Sequence, residues 1–484
     1  MLHFISTSSN YILMICCAIY ALSSYAVFLP SSPQSQRRRM DWQEMYVFFF
    51  QILCFLVLLF QTRDIRILLL CIGQLLYFKL IIFLYQHLYP DCSRIMMNHI
   101  CFLLSIGFVM LARLSLEDAI RQFIIVVVAS MVCLLLPVMI RKLTFLSRLS
   151  WLYAVLGLAF LCTVFFIGVT HNGSTNWIRI AQISLQPSEF VKISFLFFLA
   201  AVLARRPGLP VMLLMMAFAV AHVLVLVAEK DLGGALLYFL LFIFLSYVAS
   251  GRILWLLGGL LGGSLASLTA YLLFAHVQTR IQAWLDPWSD LANKGYQITQ
   301  SLFAIGTGGW FGMGLTQGRP GDIPVASSDF IFSAIAEEFG LVFGIALLFV
   351  YLSIFIHFIM IAMDVEERFY KLLAYGISVS FIMQVFLSVG GVTRFIPSTG
   401  VTLPLISYGG SSVCSVLIIF AIMQGIFMIA YRTEEENDED PYRNQDADSY
   451  QNQSEDPYRN QYEDSYRNRY ENPDPVDEED YEDR

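Results

Sequence analysis

YQITQSLFAIGTGGWFGMGLTQGRPGDIPVASSDFIFSAIAEE, from Tyr296 to Glu338, is the stretch on which the reading of the chain turns. It carries six glycines between Gly306 and Gly318, a polar run from Gly321 to Ser328, and then Asp329 at the head of an apolar helix. In a membrane protein such a loop cannot lie in hydrocarbon, where no water satisfies its backbone N–H and C=O groups. It therefore lies outside the bilayer or lines a cavity, and Asp329 sits where a membrane helix meets water. The glycines lack phosphate-loop spacing and read as a mobile, closely packed cover.

The rest of the chain is the reason a membrane is invoked. Of 484 residues, 57% are apolar and 14% charged, against about 25% charged in soluble domains. The net charge of −8 averages two unlike parts. Glu434 to Arg484 holds 20 of the 38 acids and 5 of the 30 basic residues, a net of −15; the remainder, with 18 and 25, is +7. A mildly basic membrane body with an acidic tail calls for no nucleic-acid partner. The nine cysteines show no metal-ligand spacing and read as small packing residues. No basic residue precedes the first apolar run, which argues against a cleavable signal peptide.

A spanning helix needs about 20 largely apolar residues. Thirteen segments qualify, at roughly 10–30, 43–61, 67–87, 98–112, 121–140, 150–170, 187–204, 209–228, 231–249, 253–275, 329–362, 370–390 and 403–430. Arg37 to Arg39, Arg141, Lys142, Arg148, Arg205, Arg206, Arg252, Arg368, Lys371 and Arg432 all follow odd-numbered spans. The positive-inside rule then puts the N-terminus outside and the C-terminus in the cytoplasm, with Arg63, Arg66, Arg113 and Arg121 as exceptions. The loops Asn172–Pro187, Glu229–Lys230, 276–328 and Gly390–Thr402 face outward. The tail, with Asp440-Pro441-Tyr442-Arg443-Asn444-Gln445 repeated from Asp456, has too few aliphatics to offset its ordering entropy and reads as disordered.

Four motifs fall on the outward face. They are Gly173-Ser174-Thr175-Asn176-Trp177-Ile178 with Gln186-Pro187-Ser188-Glu189-Phe190-Val191-Lys192; Asp231-Leu232-Gly233-Gly234; Tyr296–Gly309 with Asp329-Phe330-Ile331-Phe332 and Glu337-Glu338; and Pro397-Ser398-Thr399-Gly400 with Leu403–Ser412. In order and spacing they resemble the SEDS family (shape, elongation, division and sporulation; the FtsW/RodA/SpoVE group) from about Asn98 to Tyr431. The resemblance implies an all-α polytopic fold with a ten-helix core at 98–431, preceded by three extra helices at 1–97 and followed by an acidic cytoplasmic tail at 432–484. It implies a peptidoglycan glycosyltransferase of the bacterial plasma membrane. Such an enzyme polymerises lipid II outside the membrane into β-1,4 glycan with release of undecaprenyl diphosphate. A class B penicillin-binding protein as partner and a divalent cation, Mg²⁺ or Mn²⁺, come with it. Asn176, Glu229-Lys230, Ser388 and Arg394 depart from the usual family residues.

Asp329 aligns with the family's essential aspartate and would act as base, metal ligand or both; by its position alone it could equally cap a helix. Glu189 and Lys192 share a helix face and read as substrate-binding or as a structural ion pair. Asp231 would touch substrate or cap its helix. Arg280, Lys294 and Arg394 offer positive charge to a lipid diphosphate, Arg280 first among them. The hydroxyls around Ser411 would contact substrate or satisfy freed carbonyls. Glu337 and Glu338 would line a pocket or pair with a base such as Lys192. Thirteen spans with intramembrane charge also fit a precursor flippase, and a non-enzymatic scaffold is a third reading; no inverted repeat supports the transporter.

Overall fold

The computed structural model describes residues 2–29, 32–171, 174–180, 183–291 and 295–439. Asn172, Gly173, Lys294 and the repeats of the tail lie outside the described residues. Met1–Ala430 forms one compact unit; Tyr431–Arg484 is a second, helical as far as Glu439. In chain order the helices begin with α1 (Leu2–Ala26), α2 (Pro33–Thr62), α3 (Ile65–Leu88), α4 (Arg94–Leu114), α5 (Leu116–Cys133), α6 (Leu136–Lys142), α7 (Ser150–Cys162) and α8 (Val164–Ile167). Three strands follow, β1 (Gly168–His171), β2 (Ser174–Ile180) and β3 (Ile183–Leu185). Then come α9 (Pro187–Ala204), α10 (Leu209–Ala228), α11 (Leu232–Ser250), α12 (Leu254–Leu273), α13 (Ala275–Leu285) and α14 (Tyr296–Gly308). The chain closes with α15 (Ile331–Phe339), α16 (Leu341–Asp364), α17 (Arg368–Val392) and α18 (Gly410–Glu439). Among the described residues thirteen spans are long and apolar enough to cross a bilayer, with α5 and α6 forming one of them and α7 and α8 another.

The strands are the departure from an all-helical reading. They form one antiparallel sheet in the order β1-β2-β3, pairing Val169 with Trp177 and Ile178 with Leu185. The short polar segment after α8 gives each strand a neighbour to satisfy its backbone, which a single-span hydropathy reading does not register.

α4 is buried throughout, packed against α2, α3 and α5 and met by Tyr20 of α1. Polar side chains join them: Tyr20 Oη lies 3.1 Å from His99 Nδ1, Asn98 Nδ2 donates to the Met40 carbonyl at 3.0 Å, and Gln51 links Gln74 on α3 to Ser105 on α4. Without a hydrophobic force between helices in lipid, such contacts and close packing set the association. All nine cysteines are free thiols.

The expected single span at 329–362 is two helices. Gly340, at φ 89°, breaks it between α15 and α16. A break in a membrane helix strands carbonyls before it and N–H groups after it. Here the glycine-rich loop answers both: Met313 N and Gly314 N donate to the Glu337 and Glu338 carbonyls at 2.9 and 2.8 Å. Leu341 N and Val342 N donate to the Gly309 and Trp310 carbonyls at 2.9 and 3.1 Å. The loop must lie backbone against backbone to do this, and a Cβ on Gly308 would overlap the Ala336 carbonyl. The cover is therefore a packed clasp. Gly308→Ala is expected to destabilise the fold by about 1–3 kcal/mol through this overlap, seen as a lowered midpoint of thermal unfolding in detergent. The same change at Gly306, where a Cβ meets nothing within 4 Å, should be silent.

Candidate active site

The sheet, the starts of α9, α11 and α18, and the ends of α10 and α17 gather at one end of the bundle. Asp231 ties them together. Its Oδ2 accepts from Asn176 Nδ2 at 3.1 Å, Gln186 Nε2 at 3.2 Å and Ser188 Oγ at 3.1 Å. Its Oδ1 accepts from Gly234 N at 2.9 Å, capping α11. Asp231 thus binds β2, α9 and α11 to one another. Asn176 is one of its donors.

A turn into α9, Lys192 is 2% exposed and places Nζ 2.8 Å from Glu189 Oε2 and 3.0 Å from Gln384 Oε1. Ser415 Oγ donates to the same Glu189 oxygen at 2.8 Å. α9, α17 and α18 are joined by this network. Ser411 Oγ accepts the Gln186 N–H at 3.0 Å, and Ser412 Oγ lies 2.7 Å from Thr402 Oγ1. The hydroxyls of this motif satisfy backbone and neighbouring side chains.

Asp329 is positioned from behind. Tyr408 N donates to the Ser327 carbonyl at 2.7 Å and Ser407 Oγ to the Ser328 carbonyl at 2.6 Å, so the last motif grips the residues just before it. Phe330, buried, takes the N-cap position of α15, which its side chain cannot fill. Gly400, at φ 73°, lies beside the carboxylate: a Cβ there would come 3.6 Å from Asp329 Oδ2. On the facing α13, Arg280 Nη1 donates to the Ser398 carbonyl at 3.1 Å, two residues from Gly400. Burial lowers the Arg280 pKa, and the charges of Asp231 and Asp329 act on it in the opposite direction. Arg394 is engaged differently. Its Nε and Nη2 donate to the Trp284 and Leu285 carbonyls at 2.8 and 2.6 Å, closing the end of α13.

Glu337 and Glu338 pair with Arg113 and the loop backbone. Arg113 Nε donates to Glu338 Oε1 at 2.9 Å and its Nη2 to the Gly318 carbonyl at 3.1 Å; Arg319 N donates to Glu337 Oε1 at 2.9 Å. Lys192 serves Glu189 instead. Sequence reasoning missed Arg113 as this partner, although its place outside the positive-inside pattern was a signal. Arg66 and Arg121, two more exceptions, lie 2.7 Å from Asp64 and 3.8 Å from Glu117. Glu229 was likewise noted without a role. It is 1% exposed, and neither carboxylate oxygen has a hydrogen-bond partner among the described residues. Burial, with Asp231 nearby, pushes its pKa up to about 8.

Among the described residues no group of three or more His, Cys, Asp or Glu side chains could hold a metal ion. Asp329 by itself fits a different mode, in which one or two carboxylates and substrate phosphates share a divalent cation.

Fold and site together define a polytopic helical membrane protein with a carboxylate and an arginine at one end of its helices. Residues 93–432 match the family model described as cell cycle protein, FtsW/RodA/SpoVE. The chain is 37% identical over 366 residues to peptidoglycan glycosyltransferase RodA of Mycobacterium tuberculosis (strain ATCC 25618 / H37Rv), covering 70% of this chain and 78% of the relative. It is 34% identical over 273 residues to stage V sporulation protein E of Bacillus subtilis (strain 168), covering 55% and 73%. A solved peptidoglycan synthase complex, described for its coordination of polymerization and crosslinking, contains a chain matching with a TM-score of 0.59 and 26% identity over 70% of this chain and 98% of that one. The rod shape determining protein RodA of Thermus thermophilus shares the fold, with a TM-score of 0.52 at 23% identity over 71% and 99%. The chain belongs to the FtsW/RodA/SpoVE family.

Two outcomes are expected from this geometry. Folding raises the Glu229 pKa from 4.5 to about 8, so the folded state holds a proton that the unfolded chain releases between those values. Its contribution to stability is complete below pH 4.5 and is lost as pH rises towards 8. Against Glu229→Gln, the wild-type unfolding midpoint should fall across that window. Lys192→Met should cost about 3–5 kcal/mol by leaving Glu189 without its cation, and Lys192→Met with Glu189→Gln should recover much of the loss in the same melting assay.

Proposed function

We infer that this chain is a peptidoglycan glycosyltransferase that polymerises lipid II into β-1,4 glycan with release of undecaprenyl diphosphate. The observation that carries the reading is Asp329 held beside Gly400, with Arg280 across from it, in a chain of this family. A glycosidic bond forms here when an acceptor sugar hydroxyl attacks the anomeric carbon and diphosphate leaves. Asp329 takes the hydroxyl proton as general base. Positive charge must meet the oxygens on which negative charge grows, and Arg280, on which the Asp329 charge acts, is the guanidinium to supply it. The glycine at position 400 leaves room against the carboxylate for the incoming sugar. A divalent cation, carried with the diphosphate and touching Asp329, would add Lewis-acid stabilisation of the leaving group.

The distribution of lysine and arginine supports an extracytoplasmic active site and a cytoplasmic tail in the bacterial plasma membrane. Lipid II, with its polyprenyl chain, would approach from the bilayer between helices. The likeness to a synthase complex that couples polymerization to crosslinking supports a class B penicillin-binding protein as partner. Glu189, Lys192, Asp231, Arg394 and Ser411 serve by holding the surrounding walls in place.

Purified protein supplied with lipid II and Mg²⁺ or Mn²⁺ should form glycan chains, and Asp329→Asn should lower the rate by about 10²–10⁴-fold while melting near the wild-type temperature. Unchanged polymerisation by that variant would remove Asp329 from the chemistry. Chelation should slow the wild type and either cation restore it; an undiminished rate in chelator would exclude the metal.

A further inference from the structure

Away from Asp329, α14 and the segment 313–323 enclose a groove of about 230 Å³. Gln300, Phe303 and Thr307 line it from α14, at the spacing of one helix face. Gln317 and Asp322 line the opposite wall, and Glu337 of α15 closes it. Glu337 is 6% exposed; its Oε1 is engaged by Arg319 N, and its Oε2 has no hydrogen-bond partner among the described residues. A buried carboxylate oxygen left without a donor is expensive unless a ligand supplies one. Phe303 is 52% exposed, and the ring of Trp288 backs it at 5.6 Å between centroids.

The chemistry of this lining selects its ligand. Arg319 also borders the groove, but two carboxylates against one guanidinium leave the lining net negative, which disfavours a phosphate or another anion. A metal ion would need more acidic or imidazole ligands than are gathered here. Amides that both donate and accept, a hydroxyl, carboxylates that accept and an aromatic face suit a neutral ligand dense in hydroxyl and amide groups. Eight residues of chain separate Glu337 from Asp329, on the order of 10 Å at helical rise. A sugar in the groove is then not the sugar that reacts.

We propose that the groove between α14 and the 313–323 segment is a second, saccharide-binding site that holds the glycan strand already made. The product-holding role rests on the polymerase reading; the saccharide site does not. By retaining the strand between additions, the groove sets how many sugars are joined before release.

The test uses the full chain in detergent with two probes. The first is a lipid-free β-1,4-linked N-acetylhexosamine tetrasaccharide, titrated by calorimetry. The second is lipid II, with product length read on gels and its consumption followed in parallel. Gln300→Ala combined with Gln317→Ala, and separately Phe303→Ala, are expected to weaken tetrasaccharide binding at least tenfold. They should also shorten the glycan several-fold more than they slow lipid II consumption, with unfolding midpoints near wild type. Unchanged binding and unchanged product length in both variants would overturn the proposal. Tetrasaccharide binding by a wild type that makes no polymer would overturn the polymerase reading and the product-holding role, while the saccharide site would stand.

Discussion

A membrane helix interrupted at Gly340 is the constraint on which this structure depends. Backbone groups freed by a break need partners wherever water is excluded, and here they come from one loop. Met313 and Gly314 supply the N–H groups, Gly309 and Trp310 the carbonyls. The glycines are required by that contact, since side chains at Gly308 or Gly312 would occupy the space of the Ala336 and Glu338 carbonyls. The loop is in this way the missing half of the helix, and its C-terminal end delivers Asp329 to the start of α15.

Charge is managed around the same clasp. Arg113 reaches from α4 to the Glu338 carboxylate and the Gly318 carbonyl, so this buried helix is tied to the segment bearing Asp329. Asp231 has donors on both oxygens, and Lys192 has a carboxylate and an amide. These satisfied groups stiffen the walls. Arg280 is placed differently, on a short helix outside the spans, with two carboxylates acting on it and a hydrogen bond to the Ser398 carbonyl on the opposing wall. Rigid, neutralised surroundings and a less committed cation are what a site for a diphosphate leaving group requires.

Most of the architecture was legible because bilayer physics is written in composition. Runs of about 20 apolar residues can be little else, and thirteen such spans are present among the described residues. The motifs that mark the family were legible too, because they are local. Where the reading stopped, non-local pairing was at work. The three short strands form only because each has the next for its hydrogen bonds. The break at Gly340 depends on a loop some 30 residues earlier in the chain.

The sequence alone determined that this is a polytopic membrane protein of a recognisable family, and that Asp329 stands where an apolar helix meets a polar loop. Tertiary structure decided which charges meet. Arg394, Asp231 and Glu338 all read as polar groups near a site, yet a guanidinium that closes α13, a carboxylate with four donors and a carboxylate paired to Arg113 differ in what each can offer a substrate. The physical reason is distance. A residue's type limits the bonds it can make, but a hydrogen bond forms within about 3 Å, and the fold brings Arg113 to Glu338 across 225 residues of chain.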